Sequence, residues 1–538
     1  MSDQSLARSS AVMAAGTLVS RLLGFVRTAL LLGIVGTGLS GDAFDVANTL
    51  PNQFYLLLAG GVLNAVLVPQ ITKAATQEDG GQDFVNRLLT LSLVLLAGAT
   101  VVVTALAPVL VRLFSQGWSA QTTALSTAFA LICLPQIFFY GLYTVLGQVL
   151  NARSQFAAFM WAPALANIVA ILGLVWFARV APHQPTISQW TSQMIWIVAG
   201  SATLGVVLQA LALIGPLRRG GFHYRPLWGF RGVGLGSASR VAMWTFAALA
   251  VSQLGFVLTS KVLTRANDLL TASGHVGAGK AAYSGAFLLF MLPHSLITLS
   301  LVTALFTRMS AAAHAGDTRA VVADLGRGLR MPAVLLVPGT LAVLPLGVAV
   351  ARIAFFRNTV PQADAIAAVM IAMMLGLLPF GWLYLIQRVY YAYEDAKTPF
   401  YLQLVVTAVA TAVNLVALFA DPARAGILVG IGQTLSNLAA AVVGFWLLRH
   451  RFGLLHLKAT VRLYVRLVLA SLAGLAVAWP VIALIGRFGL GRYVEAATQL
   501  TVGGSLFLAV VLGAAHLMRV EEVGQLLDPV TRRIRRRA

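Results

Sequence analysis

Apolar stretches long enough to cross a bilayer follow one another along the whole of this 538-residue chain, and the first of them holds two arginines. In hydrocarbon every backbone N–H and C=O must find its partner inside the fold, which confines a spanning chain to helices or a closed barrel. Runs of about 20 apolar residues suit helices. Fourteen are read here, near 10–35, 43–72, 85–114, 121–150, 156–180, 191–217, 238–264, 280–307, 329–352, 364–392, 399–419, 426–448, 462–485 and 494–518. Hydrophobic residues make up 59% and charged residues 10%, far from the soluble norm of about 25% charged. The fold class expected is therefore an all-α polytopic membrane protein with 14 transmembrane helices. Pro51 and Pro379 lie inside long spans and predict kinks there.

Arg21 and Arg27 sit mid-span in Ser20-Arg21-Leu22-Leu23-Gly24-Phe25-Val26-Arg27. An arginine at the centre of a spanning helix costs about 2.5–3.5 kcal/mol on insertion scales. Two facing lipid would nearly cancel the gain from the surrounding leucines and valines. They are expected instead to face a water-filled cavity, and a cationic cavity implies an anionic passenger. At 100° per residue Ser20, Gly24 and Arg27 share one face, and the length of the guanidinium side chain lets Arg21 reach the same space. In the second span Asp45, Asn48 and Asn52 share a face, with Asp42 at its start. The plainer readings are an N-cap for Asp42, interhelical hydrogen bonding for Asn48 and Asn52, and a structural ion pair of Arg21 or Arg27 with Asp42 or Asp45. Lys261 is a third cation inside a span, serving either a cavity or a snorkel to the interface. Gln387 and Arg388 could line an inner gate, and Tyr384, Tyr390, Tyr391 and Tyr393 read as an aromatic belt.

The net charge of +21 resides mostly in short loops between spans, so the membrane surface, not nucleic acid, is the expected basic-residue partner. The loop cations Arg218, Arg219, Arg225 and Arg231, then Arg449, Arg451 and Lys458, and the tail arginines Arg532, Arg533, Arg535, Arg536 and Arg537 fall on one side, which places both termini in the cytoplasm. A cleaved signal peptide is not expected, because Arg21 interrupts the first apolar run. Leu50-Pro51 recurs as Leu292-Pro293, Leu150-Asn151-Ala152-Arg153 as Tyr391-Ala392-Tyr393-Glu394, and Asn167 as Asn414, each about 240 residues on and six spans later. The expected architecture is two six-helix lobes related by a parallel repeat around a central cavity, plus two C-terminal helices. The boundaries drawn are an N-terminal lobe over 1–217, a basic linker over 218–237, a C-terminal lobe over 238–448, extra helices over 449–518 and a basic tail over 519–538.

Enzymatic constellations are missing. The single cysteine, Cys133, excludes a disulfide framework and a cysteine metal site. The eight histidines are scattered, and neither HExxH, GxSxG nor a nucleotide glycine loop occurs. No cofactor and no metal site is expected. The 49 glycines suit small-residue helix packing.

The stretch Ser20 to Arg27, with Gly41-Asp42-Ala43-Phe44-Asp45-Val46-Ala47-Asn48-Thr49-Leu50-Pro51-Asn52, Val68-Pro69, Leu150-Asn151-Ala152-Arg153-Ser154-Gln155-Phe156 and Tyr391-Ala392-Tyr393-Glu394-Asp395-Ala396-Lys397-Thr398-Pro399, resembles the MurJ/MviN lipid II flippases of bacterial cell-wall synthesis, within the multidrug/oligosaccharidyl-lipid/polysaccharide exporter superfamily. The resemblance implies a non-enzymatic transporter of the bacterial plasma membrane that moves a polyprenyl-diphosphate-linked peptidoglycan precursor, lipid II, outward by alternating access. It implies that Arg21 and Arg27 are the family's cavity arginines and Asp42 its acidic residue at the start of the second span; by residue pattern, Ser20, Asn48 and Asn52 join the expected substrate cavity, with Lys261 as a secondary cation. Membrane lipids and other cell-wall proteins are the further partners implied. The chain departs from the pattern at Thr28, where many relatives carry an acidic residue, and in Gly285-Ala286-Phe287-Leu288-Leu289-Phe290-Met291-Leu292-Pro293, which lacks the basic and acidic residues of better-known members. Lys261 also stands near where some relatives bind sodium. These gaps resemble the actinobacterial branch. The competing readings are a flippase for another polyprenyl-linked glycolipid, a cation-coupled multidrug exporter, and, from another class, a membrane-embedded glycosyl- or phosphotransferase.

Overall fold

The computed structural model describes residues 3–58, 82–153, 155–228, 240–455 and 457–523, and these are helical with no strand among them. Contacts divide the chain into two compact units, 1–275 with 279–281, and 276–278 with 282–538. In the first unit run α1 (Asp3–Ile34), α2 (Leu39–Leu58), α3 (Gln82–Ala105), α4 (Ala107–Phe114), α5 (Ala120–Cys133), α6 (Gln136–Ala152), α7 (Phe156–Val180), α8 (Ser192–Arg219) and α9 (Arg240–Ala272). The second holds most of α10 (Lys280–His314), then α11 (Thr318–Ala354), α12 (Val360–Met374), α13 (Leu377–Ala392), α14 (Lys397–Phe419), α15 (Pro422–Phe452), α16 (Lys458–Ile485) and α17 (Arg492–Leu517).

Among the described residues twelve helices are long and apolar enough to cross a bilayer, and thirteen when α12 and α13 count as one bent span. The protein is a multi-pass membrane protein. The expected fourteen is not reached, because the second span is described only to Leu58 and its remainder, with Val68-Pro69, lies outside the described residues. The tail arginines and Arg231 lie outside them as well.

Two of the breaks follow proline chemistry. The α12–α13 bend of 47° falls at 375–376, not at Pro379 itself. A proline ring clashes with the carbonyl four residues earlier and removes one helical donor. Here that carbonyl belongs to Leu375. In α10, Pro293 is followed by a wider π turn over His294–Thr298. α11 continues through three prolines for 37 residues, roughly 55 Å at 1.5 Å per residue, and so outruns the ~30 Å hydrocarbon layer.

α9, assigned from sequence to the second lobe, packs against α2 and α4 and belongs with the first unit. Its buried Ser260 donates to the Phe114 carbonyl, and the Gln116 N–H donates to Thr264 Oγ1 at 3.0 Å. The two segments read as a repeat do share a backbone ending. Gln155 N–H donates to Leu150 O at the end of α6, and Asp395 N–H donates to Tyr390 O at the end of α13.

Close helix contact rests on small residues, as apolar solvent provides no hydrophobic drive between helices. A Cβ at Gly205 of α8 would stand 2.6 Å from the Ala166 carbonyl oxygen of α7. Backbone cannot move aside as a side chain can. Gly205→Val is expected to lower the unfolding free energy by about 1–3 kcal/mol through overpacking, measured as a reduced thermal midpoint in detergent, while Gly98→Ala at an open helical position does not lower the midpoint and raises it slightly through helix propensity.

Candidate functional site

Two carboxylates at the start of α2 organise the site. Asp42 is completely buried. Its Oδ2 accepts from Asn267 Nδ2 of α9 at 2.8 Å and its Oδ1 from the Ala281 N–H at 2.7 Å. The Asn267 amide also donates to the Thr37 carbonyl at 3.3 Å. Ala281 is the second residue of α10, so Asp42 does cap a helix, though not its own. It satisfies an orphan N–H of α10 from across space, where a negative charge also meets the positive end of the helix dipole. Gly279 makes the approach fit: a Cβ there would lie 2.3 Å from Asp42 Oδ2 and 2.5 Å from Asn267 Nδ2.

One turn along, Asp45 accepts from Lys280 Nζ at 2.8 Å. Lys280 is 2% exposed, and its ammonium lies 5.0 Å from the Phe256 ring centroid. A carboxylate and an aromatic face thus hold one buried cation. Sequence reasoning passed over Lys280. The available signal was a lysine in the first turn of a helix, where the dipole opposes a cation unless a carboxylate stands close.

Arg21 and Arg27 are partly buried on α1, and neither forms an ion pair or hydrogen bond among the described residues. The structural ion pair with Asp42 or Asp45 is therefore absent: those carboxylates are engaged by Asn267, Ala281 and Lys280. Tyr140 of α6 lies within electrostatic reach of Arg27. Thr28, standing where many relatives place an acid, donates back to the Gly24 carbonyl at 3.0 Å. Ser20 offers its carbonyl to Asn167 Nδ2 of α7 at 3.0 Å, and a Cβ at Gly24 would meet the same amide at 3.5 Å. The Ser20–Gly24 side of α1 is thus a packing face against α7.

Asn48 is partly buried and Asn52 exposed, and neither side chain is hydrogen-bonded among the described residues. The interhelical hydrogen bonding that was one of two readings for them is not made there. Lys261 is partly buried with no ion pair among the described residues. The α10 stretch that lacks charge instead stacks rings, Tyr283 on Phe287 at 6.2 Å and Phe287 on Phe290 at 6.0 Å. Arg388 of α13 lies 4.8 Å from the Tyr384 ring and 5.3 Å from that of Phe306, and donates to Tyr384 Oη at 2.8 Å. Tyr384 therefore serves Arg388 as well as any interfacial belt.

Removing one partner of a buried ion pair strands the other. Lys280→Met and Asp45→Asn are each expected to cost about 3–5 kcal/mol of stability, and the double variant to recover much of it, as read from detergent unfolding midpoints in a double-mutant cycle.

Known proteins resemble this chain in sequence and in fold. The family model described as lipid II flippase MurJ matches residues 32–498. A MurJ relative from Synechocystis is 25% identical over 549 residues, covering 99% of both chains. The lipid II flippase MurJ of Burkholderia cenocepacia is 27% identical over 443 residues, 78% of this chain and 80% of that protein. Among solved structures, a lipid II flippase MurJ in an inward closed conformation superposes with a TM-score of 0.72 at 18% identity, covering 94% of this chain and 99% of that one. An inward-facing multidrug transporter of the MATE family within the MOP superfamily gives 0.59 at 17% identity over 81% and 96%. With a family match over most of its length and the same helical fold, the chain belongs to the MurJ lipid II flippase family.

Proposed function

We propose that this protein carries lipid II from the inner to the outer leaflet of the bacterial plasma membrane by alternating access, with Arg21 and Arg27 engaging the diphosphate. The observation that supports the reading is the pair of α1 guanidinium groups left without carboxylate partners among the described residues. Planar guanidinium groups make charge-assisted, bidentate bonds to phosphate oxygens. A cation within a spanning helix that has no carboxylate partner among the described residues is suited to an anionic headgroup.

Asn48 and Asn52, free of interhelical bonds among the described residues, serve in this reading as neutral donors and acceptors for the headgroup. Asp42 acts differently from the arginines. Being buried and bonded, it holds α2 to α9 and to the start of α10 in this conformation, and its bonds must part or re-form as access alternates. Lys261 contributes positive potential without touching the diphosphate. Both termini are cytoplasmic in this reading, on the loop-charge asymmetry. A membrane potential negative inside contributes about 2.3 kcal/mol per charge per 100 mV, which favours outward movement of a net anion without a co-transported ion. A multidrug exporter for cationic drugs would require carboxylates exposed at mid-membrane, and Asp42 and Asp45 are engaged already.

The test is complementation of a flippase-depleted strain, with accumulation of inner-leaflet lipid II as the readout. Arg27→Glu is expected to abolish complementation while the protein stays in the membrane. Arg27→Ala should reduce transport by roughly 10–100-fold, the worth of a charged hydrogen bond of about 1.5–3 kcal/mol. A fully active Arg27→Glu variant overturns the assignment. Rescue by restoring a different polyprenyl-linked glycolipid, with lipid II unmoved, would reassign the substrate.

Asn48→Ala is expected to leave the unfolding midpoint within about 0.5 kcal/mol of the parent, since no bond is lost, while lowering the lipid II transport rate.

A further inference from the structure

Away from the arginines of α1, the first unit contains a pocket of about 510 Å3 that the transport reading does not use. Its interior is apolar, formed by Leu89 of α3, Leu142 and Leu146 of α6, and Leu217 of α8. Its remaining wall is not helical. Residues 222–228 run as an extended strap after α8, and two buried polar side chains of α3 fix that strap in place. The Arg225 N–H donates to Asn86 Oδ1 at 3.2 Å and the Leu227 N–H to Thr90 Oγ1 at 3.2 Å, while the Tyr224 hydroxyl lies 3.0 Å from Thr90 Oγ1. At the start of the strap Phe222 is buried, 5.1 Å from the Arg153 guanidinium, which also donates to the Gly220 carbonyl at 2.8 Å. The wall is thus built from hydrogen bonds of buried groups.

The rim is cationic. Arg218 and His223 line the pocket and are exposed to solvent, and Arg219 and Arg225 flank them in sequence. None of the three arginines has a carboxylate partner among the described residues. At the end of α8 such charges also complement the helix dipole, which accounts for one or two arginines on a solid surface. It does not account for an apolar hollow beside them. An empty void forfeits dispersion contacts on one side, and at a membrane surface the available filler is a hydrocarbon chain. A hollow lined by leucine and rimmed by unpaired guanidinium groups complements an amphiphile with an apolar tail and an anionic head.

We infer that this pocket holds one acyl chain of an anionic glycerophospholipid, with the lipid phosphate on Arg218 and the neighbouring arginines. The volume lies in the lower half of the ~300–1,000 Å3 range of small-molecule pockets, which suits a single chain. A free phosphate would have no use for the leucine interior. The bound lipid is a resident of the leaflet onto which the strap faces, and the assignment does not depend on what the protein transports.

Full-length protein released from nanodiscs made of equal parts palmitoyl-oleoyl phosphatidylglycerol and phosphatidylcholine, weighed by native mass spectrometry, tests this. The expected result is retention of phosphatidylglycerol in preference to phosphatidylcholine. Each of Arg218→Gln and Arg225→Gln should weaken that preference by about fivefold, the effect of one basic residue at an anionic surface. Leu142→Trp, which fills the hollow, should remove the retained lipid with the arginines intact. Should Leu142→Trp fail to fold, the two surface arginine variants carry the test alone. Equal retention of the two lipids, or an unchanged preference in both arginine variants, overturns the inference. So does displacement of phosphatidylglycerol by an equal concentration of undecaprenyl phosphate, which would assign the pocket to a polyprenyl tail.

Discussion

A buried carboxylate must be met by a donor, and where Asp42 and Asp45 find theirs decides what is left for the arginines of α1. Asp42 is met by Asn267 and by the N–H of Ala281, and Asp45 by Lys280. All the donors come from α9 or from the first residues of α10, far along the chain from α2. Once those bonds exist, a charge-neutral α1–α2 hairpin is not available. Arg21 and Arg27 remain as cations without a protein counter-ion among the described residues. The cationic character of the site therefore follows from carboxylates being engaged elsewhere as much as from arginines being present.

The same network depends on glycine. Gly279 leaves room for Asp42 and Asn267 to touch, and any side chain there would part them. Small residues act likewise between α7 and α8, where Gly205 lets backbone approach backbone. In the second unit two helices are interrupted where proline removes a donor, at 375–376 and after Pro293, giving a bend and a π turn. A helical membrane protein that changes conformation needs such weak points, and here they are placed by residue type.

Much of this was legible in the chain. The helical class and all but one of the spans could be read, since hydrophobic length reports directly on bilayer thickness. The second span is described only to Leu58, and its remainder lies outside the described residues. The partners were not legible. Asp42 read as the cap of its own helix and caps another. For Asn48 and Asn52 the sequence left interhelical glue and a cavity role both open, and no interhelical bond is made among the described residues. Lys280, at the first position of a span, was passed over and is a buried cation. The assignment of α9 to the second lobe followed the order of spans, whereas its packing follows Ser260, Thr264 and Asn267.

The amino-acid sequence by itself determined that this chain spans a membrane as a bundle of helices and that its first helix carries positive charge into the bilayer. Both are properties of local composition, set by the free energy of moving each residue from water to hydrocarbon. Only the tertiary structure decided which charges are neutralised, because pairing depends on which side chains meet across hundreds of residues. One-dimensional spacing holds no record of that distance. The balance between the engaged carboxylates and the unengaged guanidinium groups is a property of the folded helices alone.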